Sequence, residues 1–418
     1  MPKQIILCIY LIFNNLATSN IMKSKTKILS IALVISAYCC SPGGGGDGSV
    51  SEVIVNGNTV YVSSLNDLKS DTTTIPLSSL VEYCILVQFE TKENAFVNPQ
   101  QVTVTDKYIG IKERGRKPYK LFERSGKFLT DVGSIGNGPG EYGMPISIGS
   151  GVVIDDENEL IYLAPWYGNK ILVYNTSGQF LKDIAVPNQL KAASIFLSDN
   201  ILTVVQVPVK DESIAIQLDV TTGEILKRLA PPANLTVKSF NDDQMIASAR
   251  NVPEIFDFSF FNVLSDTLYH YDLKNNRILP VYTMKYRPSE DIWRQYYMLN
   301  KDLIFTRLHC FKRFLNCNKS GFVATDLKHK KSSHIRVVND FYGNMRVPII
   351  FNNFHNGYWV HSIQPEDLIE DIEKRLIESS CTEDDRKTLK NLLSTLAEGA
   401  NNLLFVGKLK SEIEMELF

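Results

Sequence analysis

Cysteine is scarce in this chain, with seven in 418 residues. Past Cys40 only Cys84, Cys310, Cys317 and Cys381 remain. No Cys-x-x-Cys occurs, which removes a zinc ribbon and a thioredoxin-type centre. Cys310 and Cys317 could bridge across a hairpin in an oxidising compartment, or stay as free buried thiols. Histidine is equally sparse: His270, His309, His329, His334, His355 and His361 form neither His-x-x-x-His nor His-Glu-x-x-His, so a helix-borne zinc site has no basis. Also missing are the Gly-x-Ser-x-Gly elbow of serine hydrolases and the Gly-Lys-Ser/Thr of a phosphate loop. Charge of one sign is lacking too, since 44 Lys and Arg against 46 Asp and Glu leave a net charge of −2. A nucleic-acid partner would favour a basic face, so none is expected. The one local basic cluster, Lys112, Arg114, Arg116 and Lys117, reads as a solvated loop.

A bilayer-spanning run is also missing from the N-terminal region, and what stands there is an export signal. Lys23, Lys25 and Lys27 precede the apolar stretch Ile28–Ala37, which is too short to cross a membrane but suits a signal peptide. It ends in Ala37-Tyr38-Cys39-Cys40, followed by Ser41-Pro42 and Gly43–Gly46. This resembles a bacterial lipoprotein signal, cleaved before a cysteine that is then acylated. Cys40, with Ala37 and Cys39 at −3 and −1, is the expected lipidation residue, and Cys39 the alternative. Met22 is the natural start of this signal, and a misplaced gene start accounts for residues 1–21. Two acyl chains would anchor the protein without a spanning helix. The expected division is residues 1–40 as misassigned start plus signal, 41–80 as a flexible tether and lead-in, and 81–418 as the folded domain.

The folded part has 44% hydrophobic residues to draw on in the whole chain and reads as short β-branched and aromatic runs between Gly, Asn and Asp. Its decisive feature is repetition. Leu121-Phe122-Glu123-Arg124-Ser125-Gly126-Lys127-Phe128-Leu129 returns as Val173-Tyr174-Asn175-Thr176-Ser177-Gly178-Gln179-Phe180-Leu181. Weaker copies run through Leu218–Leu226, around Gly223, and Tyr271–Leu279, around Asn276; a degenerate fifth follows Thr325-Asp326-Leu327-Lys328. Gly and Asn tolerate the positive φ of tight hairpins. A hairpin recurring every fifty or so residues matches one four-stranded propeller blade. The stretch from Val102 to Leu409 therefore holds about six units, with Cys84–Phe89 free to supply the missing strand of the last blade. Ring closure would hide the sheet edges. The expected fold is all-β, a six-bladed β-propeller of four-stranded blades.

One segment, at about 366–398, breaks the β pattern. Leu368, Ile369, Ile372 and Leu376, then Leu389, Leu392, Leu393 and Leu396, recur at helical spacing. Thr382 with Asp385 suits an N-cap and Gly399 a stop. A helical hairpin inserted in the last blade is expected, its leucines covering the propeller.

The string Gly136-Asn137-Gly138-Pro139-Gly140-Glu141-Tyr142 and the closing Asn402–Lys410 resemble the six-bladed β-propeller lipoproteins of Bacteroidetes, relatives of the NHL-type propellers. The resemblance implies this fold and an outer-membrane lipoprotein facing the periplasm or the cell surface. It implies no particular chemistry.

Two functions from different classes follow. The first is a binding module for a protein, peptide or glycan, touching the membrane only through its lipid. Its candidate contacts are Glu141, Tyr142, Trp166, Tyr167 and Asn169, because aromatic residues near turns combine apolar area with a hydrogen-bonding tip. The second is a metal-assisted lactonase or lyase holding a divalent cation in the central channel. No metal-ligand set is legible for it: Asp155, Asp156, Glu157 and Glu159 lack EF-hand spacing and read as an acidic turn. No cofactor is expected for the binding module. Gly126, Gly136, Gly138, Gly140, Gly178 and Gly223 are expected to be structural turn residues.

Overall fold

The structure, a computed structural model, describes residues 47–143, 151–241, 244–261, 267–286, 292–310, 321–348, 353–397 and 399–413. Of residues 292, 293, 309 and 310 only the backbone is described. Cys39, Cys40, Cys317 and the Cys310 side chain lie outside these limits, as does the proposed Cys310–Cys317 bridge.

Six antiparallel four-stranded blades form a propeller. Blade 1 comprises Pro99–Val104, Tyr108–Glu113, Tyr119–Glu123 and Phe128–Val132; blade 2 comprises Val152–Asp155, Leu160–Leu163, Tyr167–Asn175 and Phe180–Lys191. Blade 3 runs through Ser194–Ser198, Ile201–Val205, Ala215–Asp219 and Ile225–Leu229, and blade 4 through Met245–Ala247, Phe256–Phe261, Thr267–Asp272 and Arg277–Lys285. Blade 5 holds Ile292–Met298, Leu303–Cys310, Gly321–Asp326 and Lys331–Asn339. In blade 6 the strands Phe354–His355, Tyr358–Ile363 and Leu403–Leu409 are completed by Val81–Gln88, with Ile85 opposite Val406. The ring is thus closed by a strand that precedes blade 1 in sequence and pairs with the third strand of blade 6, completing that sheet.

The apolar runs of each blade are buried on both faces because each sheet stacks on two neighbours. Six hydrophobic clusters result, one at each junction between adjacent blades. Between blades 3 and 4, for example, Phe196 stacks on Phe256 at 5.1 Å.

The repeated hairpin joins the third and fourth strands of each blade. Its tip is left-handed at Gly126 (φ 90°), Gly178 (81°), Gly223 (75°) and Asn276 (52°). In blade 5 the same place is held by Lys330 (φ 56°), which is why the fifth copy is hard to see. An Asn or Asp opens the turn in blades 2 to 5, whereas blade 1 has Glu123: Asp219 Oδ1 accepts from the Thr221 and Thr222 amides, both at 2.8 Å, and Asp326 Oδ1 from His329 N at 2.8 Å. These tips also rest on the preceding blade. A Cβ at Gly178 would lie 2.5 Å from Asp131 O, and Asn276 Nδ2 donates to Arg228 O at 2.9 Å. Gly178→Ala should therefore cost about 1–3 kcal/mol in backbone strain plus the clash. Gly57→Ala, at φ 79° with nothing within 4 Å of the added carbon, should cost only the strain, so the two urea midpoints should differ. Equal losses would refute the packing role.

Part of the region expected to be a flexible lead-in is sheet. Ser51–Val55 and Asn58–Ser64 form a hairpin, and Asn58–Ser64 lies parallel to the outer strand of blade 4, Tyr61 beside Tyr282. Thr72–Pro76 adds in the same way to the outer strand of blade 5, Thr73 beside Ile335. The physical cause is the exposed outer edge of a blade, which offers unpaired N–H and C=O groups. A signal for it is present in sequence: Asn56-Gly57 between β-branched residues, with φ 51° and 79°, is a hairpin turn.

The inserted hairpin consists of α1 (Pro365–Ile377) and α2 (Glu383–Leu393), and Leu368, Ile372, Leu389 and Leu392 are buried in the cluster between blades 5 and 6. Thr382 and Asp385 form a capping box. The second helix stops at Leu393, short of the expected end near 398, because Ser394 and Thr395 hydroxyls bond the Asn391 and Leu392 carbonyls, both at 2.7 Å.

Candidate functional site

The propeller centre is built from the first strand of every blade, and one segment of blade 4 ties these strands together. Arg250 follows Met245–Ala247 in a left-handed conformation, φ 52°. Its Nη1 donates to Ile195 O of blade 3 at 2.9 Å and its Nη2 to Val152 O of blade 2 at 3.2 Å. Nη2 also reaches His355 Nε2 of blade 6 at 2.7 Å. That contact requires a neutral imidazole with its proton on Nδ1, which faces Ser248 O at 3.2 Å. Burial, reinforced by the guanidinium, holds the His355 pKa well below its usual value.

The turn at Arg250 is held by Asp257, whose Oδ1 accepts from Arg250 N at 2.7 Å. Burial pushes the Asp257 carboxyl up to about 6 even with these partners. One residue on, Asn251 Nδ2 donates to Met298 O of blade 5 at 3.1 Å and its Oδ1 accepts from Gly357 N of blade 6 at 3.1 Å. Asn356 then donates through Nδ2 to Val104 O of blade 1 at 2.7 Å. Ser248–Asn251 is therefore an axial hub that bonds to blades 2, 3, 5 and 6 and reaches blade 1 through Asn356.

The hub gives the channel a floor. Above Arg250 lies a cavity of about 330 Å³, bordered by Asp155, Asp156, Phe196, Asn251 and Asn356. It shares Asn251, Pro253 and Gly357 with a larger groove of about 1270 Å³ that runs outward over blades 5 and 6. Lys301, Lys328, Lys408 and Lys410 line this groove together with Glu254 and Glu412. Beside it, Asp106 accepts from the Tyr358 hydroxyl at 2.6 Å and from Lys408 at 3.3 Å. These bonds hold the Asp106 carboxyl below the usual carboxylate range. The cavity and groove open where the first strand of a blade turns into the second and the third into the fourth.

A family model described as a domain of unknown function, DUF4934, matches residues 60–408. The chain belongs to that family. The matched span opens within the strand Asn58–Ser64 and closes in Leu403–Leu409, so the DUF4934 unit takes in the outer-edge strand on blade 4 as well as the ring. No curated protein matches the sequence. Among solved structures, a candidate exported protein from Bacteroides fragilis is similar at 17% identity and TM-score 0.53, over 81% of this chain and 100% of that one. A duf4221 family member from Bacteroides vulgatus aligns at 12% identity and TM-score 0.43, over 88% and 100%. At 17% identity the Bacteroides fragilis structure speaks to fold alone.

Within the DUF4934 chain, the residues singled out from sequence sit at the opposite ends of the strands, where second strands turn into third and fourth strands cross to the next blade. Tyr142 is buried; its hydroxyl donates to Val132 O at 2.7 Å and accepts from Tyr119 N at 2.8 Å. Glu141 Oε2 accepts from Gly138 N at 2.8 Å, and a Cβ at Gly136 would meet that carboxylate at 2.0 Å. The Gly-x-Gly-Pro-Gly-Glu-Tyr string thus closes the crossover from blade 1 to blade 2. Gly140 is left-handed at φ 70°, and its carbonyl accepts from the Tyr174 hydroxyl at 2.9 Å. Trp166 is 7% exposed, and with Tyr167 it packs on Phe240, ring centroids 6.5 and 5.6 Å apart. Asn169 is exposed.

Lys112 also departs from the solvated-loop reading. It is buried, donating to Gln100 Oε1 at 2.5 Å and Glu113 O at 3.2 Å, and burial lowers its pKa to about 8. Arg114, Arg116 and Lys117 are exposed. Among the described residues no three His, Cys, Asp or Glu side chains converge as a metal-ligand set. Sequence reasoning missed Arg250, Asp257 and His355, because they stand 7 and 105 positions from Arg250 and share no motif with it.

Proposed function

We propose that this protein is a lipid-anchored, extracytoplasmic binding module that takes a protein or peptide segment in the groove leading to the axial cavity. The observation that carries this reading is the groove itself, confluent with a cavity floored by Arg250 and open at one face. Its mixed lysine and carboxylate lining favours a polar segment carrying both charges. Trp166 and Tyr167, expected from sequence as contacts for a protein, peptide or glycan, pack on Phe240 instead, which weighs against a ligand of any of these kinds stacking on them at the opposite face.

Export and anchoring are supported by the Lys-rich start, the apolar Ile28–Ala37 and Cys40 before a glycine run. The Bacteroides fragilis neighbour described as a candidate exported protein is consistent with this location. Metabolic labelling with an alkyne fatty acid tests the anchor. Cys40→Ala should abolish labelling and release the protein from membranes, and retention of the label would move the lipid to Cys39 or refute it. For the groove, a photoreactive residue at Lys328 should give discrete protein adducts in cells, whereas one at Asn169 should give few. Adducts at Asn169 alone, or at neither position, would overturn the assignment.

A further inference from the structure

The anchor and the groove are neighbours. Asp47, at the start of the described domain, pairs with Lys331 at 3.1 Å. Gly48 O accepts from Ser332 N at 2.7 Å, and Val50 N donates to Lys330 O at 2.8 Å. These partners are the last residue of the turn between the third and fourth strands of blade 5 and the first two of the fourth strand. The same turn supplies Asp326, Lys328 and His329 to the groove wall. Gly48 is φ 72°, and a Cβ there would lie 2.1 Å from Ser332 O, so the chain is closely seated at this rim.

Cys40 and Asp47 are seven residues apart, a reach of about 25 Å even when fully extended, at roughly 3.3–3.6 Å per residue. A diacyl anchor at Cys40 therefore keeps Asp47 within that distance of the bilayer, and with it the blade 5 turn on which residues 47–50 are seated and which forms one wall of the groove. The lining rules on what that occupant is. Lys301, Lys328, Lys408 and Lys410 are interleaved with Glu82, Glu254, Asp302, Asp326 and Glu412. Adsorption to anionic headgroups needs a cluster of one sign, and this lining has none.

Resting on the lipid-anchor reading above, we infer that the groove is a membrane-proximal docking site for a polar, mixed-charge segment of a protein held in the same membrane. The opposite end of the strands, with Asn169, faces away from the bilayer.

The test uses the mature chain from Cys40 to Phe418, joined at its N-terminus to a phosphatidylcholine vesicle by a maleimide lipid. A donor dye is placed through an azido residue at position 328 or 169, with an acceptor dye on the lipid headgroups. Transfer should be at least twofold greater from position 328. Equal or reversed transfer would overturn the orientation, and it would do so without bearing on natural lipidation, which the fatty-acid labelling decides separately. In cells, the adduct formed from position 328 should sediment with membranes and fall at least tenfold in the Cys40→Ala protein. An adduct that persists with the released protein would show a soluble partner and refute the membrane-held one. Strong binding of the untethered chain to phosphatidylglycerol vesicles, absent with phosphatidylcholine, would replace the protein segment by the lipid surface.

Discussion

Arg250→Leu is expected to destabilise the protein by about 3–5 kcal/mol, the usual cost of breaking a buried charged network by removing one partner. The substitution deletes three side-chain bonds that join blade 4 to blades 2, 3 and 6. It also strands the Asp257 carboxylate in the interior without a cation. Asp257 is fully buried and already pushed up to about 6; without the guanidinium it should rise further and take up a proton near neutral pH. Adding Asp257→Asn to Arg250→Leu should therefore recover part of the loss, since the amide can still accept from the Arg250-position N–H without carrying charge. Arg250→Lys should fall between, because one ammonium cannot span two carbonyls and an imidazole in that planar geometry. Urea midpoints at pH 7.5 decide it. A loss under about 1 kcal/mol for Arg250→Leu would mean that the hub is incidental to ring stability.

Acidification should weaken the fold steeply between pH 6.5 and 4. His270 and His361 are each pushed down to about 4 by burial, and His355 lies well below its usual value. A base whose folded pKa is depressed adds stability that is present above its unfolded pKa and is lost as the pH falls toward the folded one. At about 1.4 kcal/mol per unit, His270 and His361 together can remove several kcal/mol across this window. Asp257 opposes them. Its folded pKa is raised, so its contribution is greatest below the unfolded value near 3.8 and fades as the pH rises through about 6. Three histidines against one carboxyl leave a net loss on acidification. The urea midpoint at pH 5 should fall clearly below that at pH 7.5, and His361→Asn should flatten the difference. Equal midpoints in the wild-type protein would refute the account.

The ring was legible because its repeats are local. Ser-Gly-x-Phe-Leu and its variants encode a hairpin whose tip must adopt positive φ, and Gly126, Gly178, Gly223 and Asn276 all do. The helical insert was legible for the same reason, since the Thr382–Asp385 capping box spans four residues. The fifth blade was harder, because Lys330 takes a left-handed turn without a glycine to mark it. The edge strands on blades 4 and 5 went unread although Asn56-Gly57 announces a hairpin; where that hairpin would pair depends on Arg277–Lys285, over 200 positions away.

For the candidate site the balance reverses. The aromatic and acidic residues near turns, Glu141, Tyr142, Trp166 and Tyr167, carry a chemistry that suits binding, yet the same chemistry suits closing a crossover or filling a blade junction. Only burial separates the two uses, and burial depends on the neighbouring sheet. Arg250 shows the converse: an arginine after a short strand has nothing in its local sequence to distinguish it. Its place on the axis follows from the closing of the ring, which brings Val152, Ile195 and His355 to one guanidinium. Sequence by itself determined the repeated hairpin of the blades and the helical insert, because these rest on interactions within a few tens of residues. Tertiary structure alone decided the hub, its cavity and the face that carries them, because a point where six sheets meet exists only once the chain has come full circle.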